Sequence, residues 1–259
     1  MNKHIPSLTA IRPALLVAFG GFILTSVAAP AKAAEVKFDL KAESEVSVGS
    51  AKSPSAADFR AAAEKGDPVA QHNLGVSYER GDGVAKDRKT AYQWYRKAAE
   101  QGYAEAQAMV SSYLLIGAAG QKDAAEAFQW ARKAAEQGNA RGQYLLGICY
   151  EEGNGVAKDP KLAYAWYCKA ASQGHVEALN NCGVCLVTGS GVAKDEAAAV
   201  KLFRKAAEQG DAEGQFNLAQ CYAKGIALKA DAAAAAEWAA KAAQQGHEGA
   251  KKLLEQLKK

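Results

Sequence analysis

Two features of this chain have the residue types and spacing of reactive sites. Cys182 and Cys185 stand as C-x-x-C, the spacing of a dithiol that cycles with a disulfide. Gly-Val-Ala-Lys-Asp occurs three times, at 83–87, 155–159 and 191–195, and joins a glycine turn, a cation and a carboxylate as a phosphate-binding loop does. Each chemistry needs a particular setting. A redox C-x-x-C belongs beside a strand–helix pattern, whereas Cys182 and Cys185 fall in the middle of a helical one. A phosphate loop runs from strand to helix, whereas the sequence before each Gly-Val-Ala-Lys-Asp has helical periodicity. Asp87 stands just before the next helical pattern, where a carboxylate accepts a hydrogen bond from an open backbone N–H and opposes the positive helix end. In the second copy Asp159 is followed by Pro160, and proline suits a first helical position because its missing N–H would be unpaired there. The five residues therefore read as a joint between helices.

The other reactive types point the same way. Beyond the first residues the histidines are His72, His175 and His247, with no zinc-ligand spacing and no H-E-x-x-H. No Ser/His/Asp grouping stands out. His175 and His247 share a place with Tyr103, Asn139 and Asp211, which reads as a solvated turn. Cys149, Cys185 and Cys221 lie 36 residues apart and read as small buried apolar residues. No catalytic residue, cofactor-binding residue or metal ligand is predicted.

The elements that carry these residues repeat. Gly66, Gly102, Gly138, Gly174, Gly210 and Gly246 are 36 residues apart, and so are Asp87, Asp123, Asp159, Asp195 and Asp231. Each period holds two helical patterns. In the first repeat, helix A covers roughly 68–80, with Ala70, Leu74 and Tyr78 on one face, and helix B roughly 88–101, with Ala91, Trp94, Tyr95, Ala98 and Ala99. Gly75, Ser111, Gly147, Gly183 and Ala219 read as small residues that let helices approach. Trp94, Trp130, Trp166 and Trp238 read as fillers of the larger gaps, with Leu202 in the fourth repeat. The domain plan is a signal peptide over 1–33, a flexible leader over 34–54 and an N-terminal capping helix over 55–67. Five repeats follow over 68–103, 104–139, 140–175, 176–211 and 212–247, then a C-terminal capping helix over 248–259, where Glu255 and Lys258 hold packing positions.

The leading segment predicts the address. Lys3 and Arg12 precede an apolar run over 14–29, and Ala31-Lys32-Ala33 forms an A-x-A site with cleavage expected after Ala33. The run is shorter than the roughly 20 apolar residues that span a bilayer. Cleavage removes Lys3, Arg12 and Lys32 and no acid, so the formal charge falls from +4 to +1. A near-neutral chain with interspersed charges has no footprint for nucleic acid, and no membrane insertion is expected after cleavage. A periplasmic or secreted protein is expected.

The residues Val69-Ala70-Gln71, Leu74-Gly75, Tyr78, Gly81-Asp82-Gly83-Val84, Asp87, Trp94-Tyr95 and Ala98-Ala99-Glu100 together resemble the Sel-one-like repeat, a relative of the tetratricopeptide repeat. The resemblance covers 68–247. The second repeat departs most, with Val110-Ser111 for Leu-Gly, and the fifth has Ala227 for the second loop glycine. It implies an all-α fold, a right-handed α/α superhelical solenoid of five 36-residue helix-turn-helix repeats with capping helices. It also implies a scaffold that binds a protein or peptide and is not an enzyme. In the cysteine-rich branch of the family, bridges join helix B to the next helix A at places held here by Ala171 and Ala178. Cys168 and Cys182 lie one turn further from Gly174 on each side, so a Cys168–Cys182 bridge and two free thiols both stay open.

If helix A lines the concave face, as in related repeats, Gln71 and its neighbours His72, Asn73 and Val76 face a partner, as do Tyr144, Ile148, Asn180, Asn181, Val184, Phe216, Asn217 and Gln220. Tyr144 and Phe216 read either as aromatic anchors or as packing against the adjacent repeat. The expected function is an exported adaptor that regulates a signalling receptor or envelope assembly. The alternative is a hydrolase of β-lactam or cell-wall-like substrates, as attributed to cysteine-rich relatives. A purely structural envelope component is a third.

Overall fold

The computed structural model describes residues 56–120 and 122–258. The signal-peptide and leader readings lie outside the described residues. Every element among those residues is an α-helix or a turn. The chain falls into two compact units that meet in sequence at Asp123 and Ala124. The first contains α1 (Ala56–Glu64), α2 (Pro68–Arg80), α3 (Arg88–Glu100) and α4 (Ala104–Ile116). The second contains α5 (Ala124–Glu136), α6 (Ala140–Glu152), α7 (Pro160–Ser172), α8 (Val176–Thr188), α9 (Glu196–Glu208), α10 (Ala212–Lys224), α11 (Ala232–Gln244) and α12 (Glu248–Leu257). Within each unit, every helix packs on the next in sequence. Helix A of the five repeats is α2, α4, α6, α8 and α10.

Local chemistry marks the helix ends. Gly81 takes a left-handed φ of 89°, and its N–H donates to the Ser77 carbonyl at 2.8 Å, closing α2 where a Cβ would be strained. Asp87 opens α3 by accepting from the Lys89 and Thr90 amides at 3.0 and 3.3 Å. Asp159, Asp195 and Asp231 do the same for α7, α9 and α11, with Pro160 at the first position of α7. The fifth repeat keeps the left-handed loop without its glycine: Ala227 has φ 50°. That conformation costs a residue with a Cβ about 1–2 kcal/mol. Ala227→Gly is expected to raise stability in urea unfolding by about 1 kcal/mol, the remainder being offset by the greater freedom of glycine in the unfolded chain. A loss of stability would show that the Ala227 methyl packs.

The core is alanine and leucine, with a ring between helices A and B in three of the repeats. Leu74, Leu146 and Leu218 are enclosed, as are Ala91, Ala98, Ala163, Ala170, Ala199 and Ala206. The ring that fills the gap between helices A and B is Tyr95, Tyr167 or Phe203, each at most 2% exposed. In the first and third repeats this corrects the reading that tryptophan does so, and in the fourth the reading that Leu202 does, whereas Trp130 of the second repeat is buried. Trp94, Trp166 and Trp238 are half-buried, and a lysine one turn on lies over each indole at about 4 Å, as Lys133 does over the more enclosed Trp130. The cause is register. The residue after each tryptophan points between the helices, while the tryptophan lies on the flank. α12 rests on Ala219, Ala239 and Ala242 through Ala250, Leu253 and Leu254, and leaves Glu255 and Lys258 exposed. Among the described residues, no helix is long and apolar enough to cross a membrane.

Candidate functional site

The repeated loop has a structural job for its glycine, its lysine and its aspartate. A Cβ on Gly155 would lie 2.2 Å from the Ala124 carbonyl oxygen, and one on Gly191 would lie 2.1 Å from that of Pro160. The loop of one repeat therefore sits on the start of the preceding helix B, and only glycine fits there. The lysine stem folds back over the glycine that ends helix A, with Lys158 Cγ 2.9 Å from where a Gly153 Cβ would stand. The last amide is spent too: Asp87, Asp159 and Asp195 donate their N–H to Tyr78, Tyr150 and Leu186. Asp87 is held below the usual carboxylate range, chiefly by the Thr90 hydroxyl, as a cap should be. The glycine and the aspartate of the loop are thus spent on the joint between helices.

The cysteines divide into a bonded pair and buried thiols. Cys168 on α7 and Cys182 on α8 form a disulfide with Cα atoms 5.5 Å apart, where the sequence left two outcomes open. Cys182 is thus engaged away from Cys185, which is buried and outside the disulfide, so the C-x-x-C does not act as a pair. Burial pushes the thiol of Cys149 up to about 12 and that of Cys221 to about 11, so neither supplies a thiolate near neutral pH. Among the described residues, no group of three His, Cys, Asp or Glu could hold a metal ion.

The predicted partner face is more closed than its pattern suggests. None of its eleven residues is fully exposed. Ile148, Asn180 and Asn181 are 3%, 2% and 6% exposed, because α6 and α8 are enclosed over most of their faces. Gln71 is buried as well. Its Nε2 donates to the Ala63 carbonyl at 3.1 Å, and its Oε1 accepts from Gln101 Nε2 at 2.8 Å. Gln107 and Gln215 reach back likewise to the Ala99 and Ala207 carbonyls. Gln173 and Gln245 bond Gln143 and Gln215 as Gln101 bonds Gln71. These glutamines stitch successive turns together. Their recurrence at the core period, alongside alanine and leucine, was the signal for this role.

His72, Tyr144, Asn180 and Phe216 share a column, and each contacts the residue 31 positions on, the N-cap of the next helix A. The His72 ring lies 5.4 Å from Tyr103, Tyr144 stacks on His175 at 4.8 Å, and Phe216 meets His247 at 4.4 Å. Asn180 Nδ2 donates to the Asp211 carboxylate. Ring meets ring and polar group meets polar group, so Tyr144 and Phe216 are inter-repeat packing at least as much as surface. His175 and His247 are correspondingly not in a solvated turn; their side chains are 14% and 18% exposed. The positions left with half-exposed surface on the row are Asn73, Val76, Val184, Asn217 and Gln220, with one edge each of His72, Tyr144 and Phe216.

Comparison with known proteins follows these lines. The Sel1 repeat profile matches residues 68–103, 104–139, 140–175, 176–211 and 212–247. A Sel1 repeat protein from Oxalobacter formigenes is 38% identical with a TM-score of 0.68, over 77% of this chain and 82% of that one. The protein c5321, a protective antigen present in uropathogenic Escherichia coli strains and displaying an SLR fold, is 32% identical with a TM-score of 0.52. That match covers 78% of this chain and 51% of that one. A Sel1 repeat protein from Klebsiella pneumoniae, 22% identical with a TM-score of 0.54 over 80% of this chain and all of that one, shares the fold. No curated protein sequence matches.

Proposed function

The chain belongs to the Sel1 repeat family, whose members mediate protein–protein interaction, and from that premise we propose that it is an exported adaptor. Its partner is a protein or peptide held on the open surface of helix A. The observation that carries this reading is the contrast along each helix A. The core positions are closed, while beside them Asn73 and Asn217 at one repeat position, and Val76, Val184 and Gln220 at another, keep half-exposed amide and apolar surface. Surface of that kind on one helix of each pair is what a protein or peptide partner can engage. Regulation of a signalling receptor or of envelope assembly fits an adaptor in the periplasm, and the pattern over residues 1–33 supports that address. Nothing among the described residues supports the hydrolase alternative, and the thiols outside the disulfide are buried.

A photo-crosslinking residue placed at Val184 or Gln220 in growing cells is expected to trap a defined partner. The same residue at Ala165, exposed on helix B, is expected to trap none. Equal trapping at Ala165 would reject the helix A row as the binding face. N-terminal sequencing of the protein from the periplasmic fraction is expected to begin at Ala34; an intact first residue would reject export by this signal.

A further inference from the structure

We propose that His175 is an acid-released latch between α6 and α8. The residue ends the turn after α7 and forms the N-cap of α8, yet its side chain makes no capping hydrogen bond. The ring instead reaches back to α6, where it stacks on Tyr144 with planes 27° apart. Tyr144 in turn leans on Tyr167 of α7, at 5.9 Å, so the stack joins three helices.

The surroundings suit a neutral ring and not a cation. From α6, Arg141 faces it with a like charge. From its own helix, Glu177 brings Oε2 to 3.2 Å from Nδ1, but without hydrogen-bond alignment, and this carboxylate is 41% exposed. From the next turn, Asp211 is occupied by Asn180 and the Gly214 amide. An imidazolium would be enclosed with one poorly aligned carboxylate and a guanidinium. Burial is the larger influence on His175 and lowers its proton affinity, Arg141 adds to this, and Glu177 opposes it without prevailing.

His247 occupies the same repeat position and shows what His175 lacks. It also stacks on an aromatic ring, Phe216, but its Nδ1 accepts from the Ala250 amide and its Nε2 lies 3.1 Å from Glu213. That ring is braced on both nitrogens. The His175 ring is held by stacking and enclosure, with the half-exposed Glu177 carboxylate near one nitrogen and no aligned hydrogen bond. Protonation therefore favours the ring leaving its slot for water. The first turn of α8, tied to His175 through the Leu179 N–H to His175 carbonyl bond, loosens with it.

The sign follows from linkage. The folded protein binds the proton on His175 less readily than the unfolded chain, whose histidine titrates near 6.5. Stability from this residue is present above that value and is lost as pH falls through it. Asp211 behaves oppositely, because burial raises its affinity for a proton, and it contributes the same background to any His175 variant. His175→Asn is the informative change, since Asn139 holds this position in the third repeat and caps the Gly142 amide.

Between about pH 7.5 and about pH 5.5 the wild type is expected to lose about 3 °C of Tm more than His175→Asn. Amides in the first turns of α8 are expected to exchange faster in the wild type than in the variant at the lower pH and equally at the higher. Parallel Tm profiles would overturn the proposal. So would a divergence in Tm with α8 exchange unchanged, because the effect would then lie elsewhere.

Discussion

Gly147→Ala is expected to destabilise the protein by about 2 kcal/mol, and Tyr167→Ala by about 4 kcal/mol, while the double variant costs clearly less than their sum. A Cβ at Gly147 would stand 2.6 Å from two carbons of the Tyr167 ring and 3.3 Å from the Ala163 carbonyl. The ring cannot yield: it is fully enclosed, and its hydroxyl donates to Glu151. Alanine gains about 1 kcal/mol over glycine in helix propensity, which offsets part of the clash and no more. The chain itself supports the non-additivity. Where helix B carries a ring, at Tyr95, Tyr167 and Phe203, the facing residue twenty positions earlier is Gly75, Gly147 or Gly183. Where helix B carries Ala239, the residue at that place is Ala219. Urea unfolding of the four proteins in the cycle measures the coupling. Additive costs would mean that ring and glycine do not share one space.

Removing the disulfide is the second large effect expected. Cys168 and Cys182 are 14 residues apart, and closing a loop of that size constrains the unfolded chain by about 3 kcal/mol. Cys168→Ala with Cys182→Ala is the cleaner variant, because Cys182 is buried and a serine there would bring an unpaired hydroxyl. The oxidised wild type is expected to exceed this variant by about that amount, and the reduced wild type to match it. No change in the denaturant midpoint on reduction would show that the helices hold this joint without the bond.

The repeat length, the helix pair, the caps and the loop as a joint were legible because each is local. A helix must end in a residue that tolerates left-handed backbone and begin with an acceptor for open amides, and both requirements show in residue type. What was not legible depends on which side chain fills which gap. Gly75, Ser111 and Ala219 read alike as small residues, although glycine and the facing ring vary together. Tryptophan read as core for its size, whereas its register sets it on the flank under a lysine. The burial along the helix A row was illegible for a related reason. Helical spacing says which residues share a face, but not how little of it stays open at Ile148, Asn180 and Asn181.

The glutamine stitch is interrupted once. In the fourth repeat Leu179 holds the place of Gln71, Gln107, Gln143 and Gln215, and no side-chain amide reaches back from it to Ala171. That junction, between α7 and α8, is the one crossed by Cys168 and Cys182. A covalent rivet stands where the seam lacks its polar thread. Under load or in a reductant, the stack is therefore expected to part first at that joint, so its mechanical strength depends on the redox state of the compartment around it.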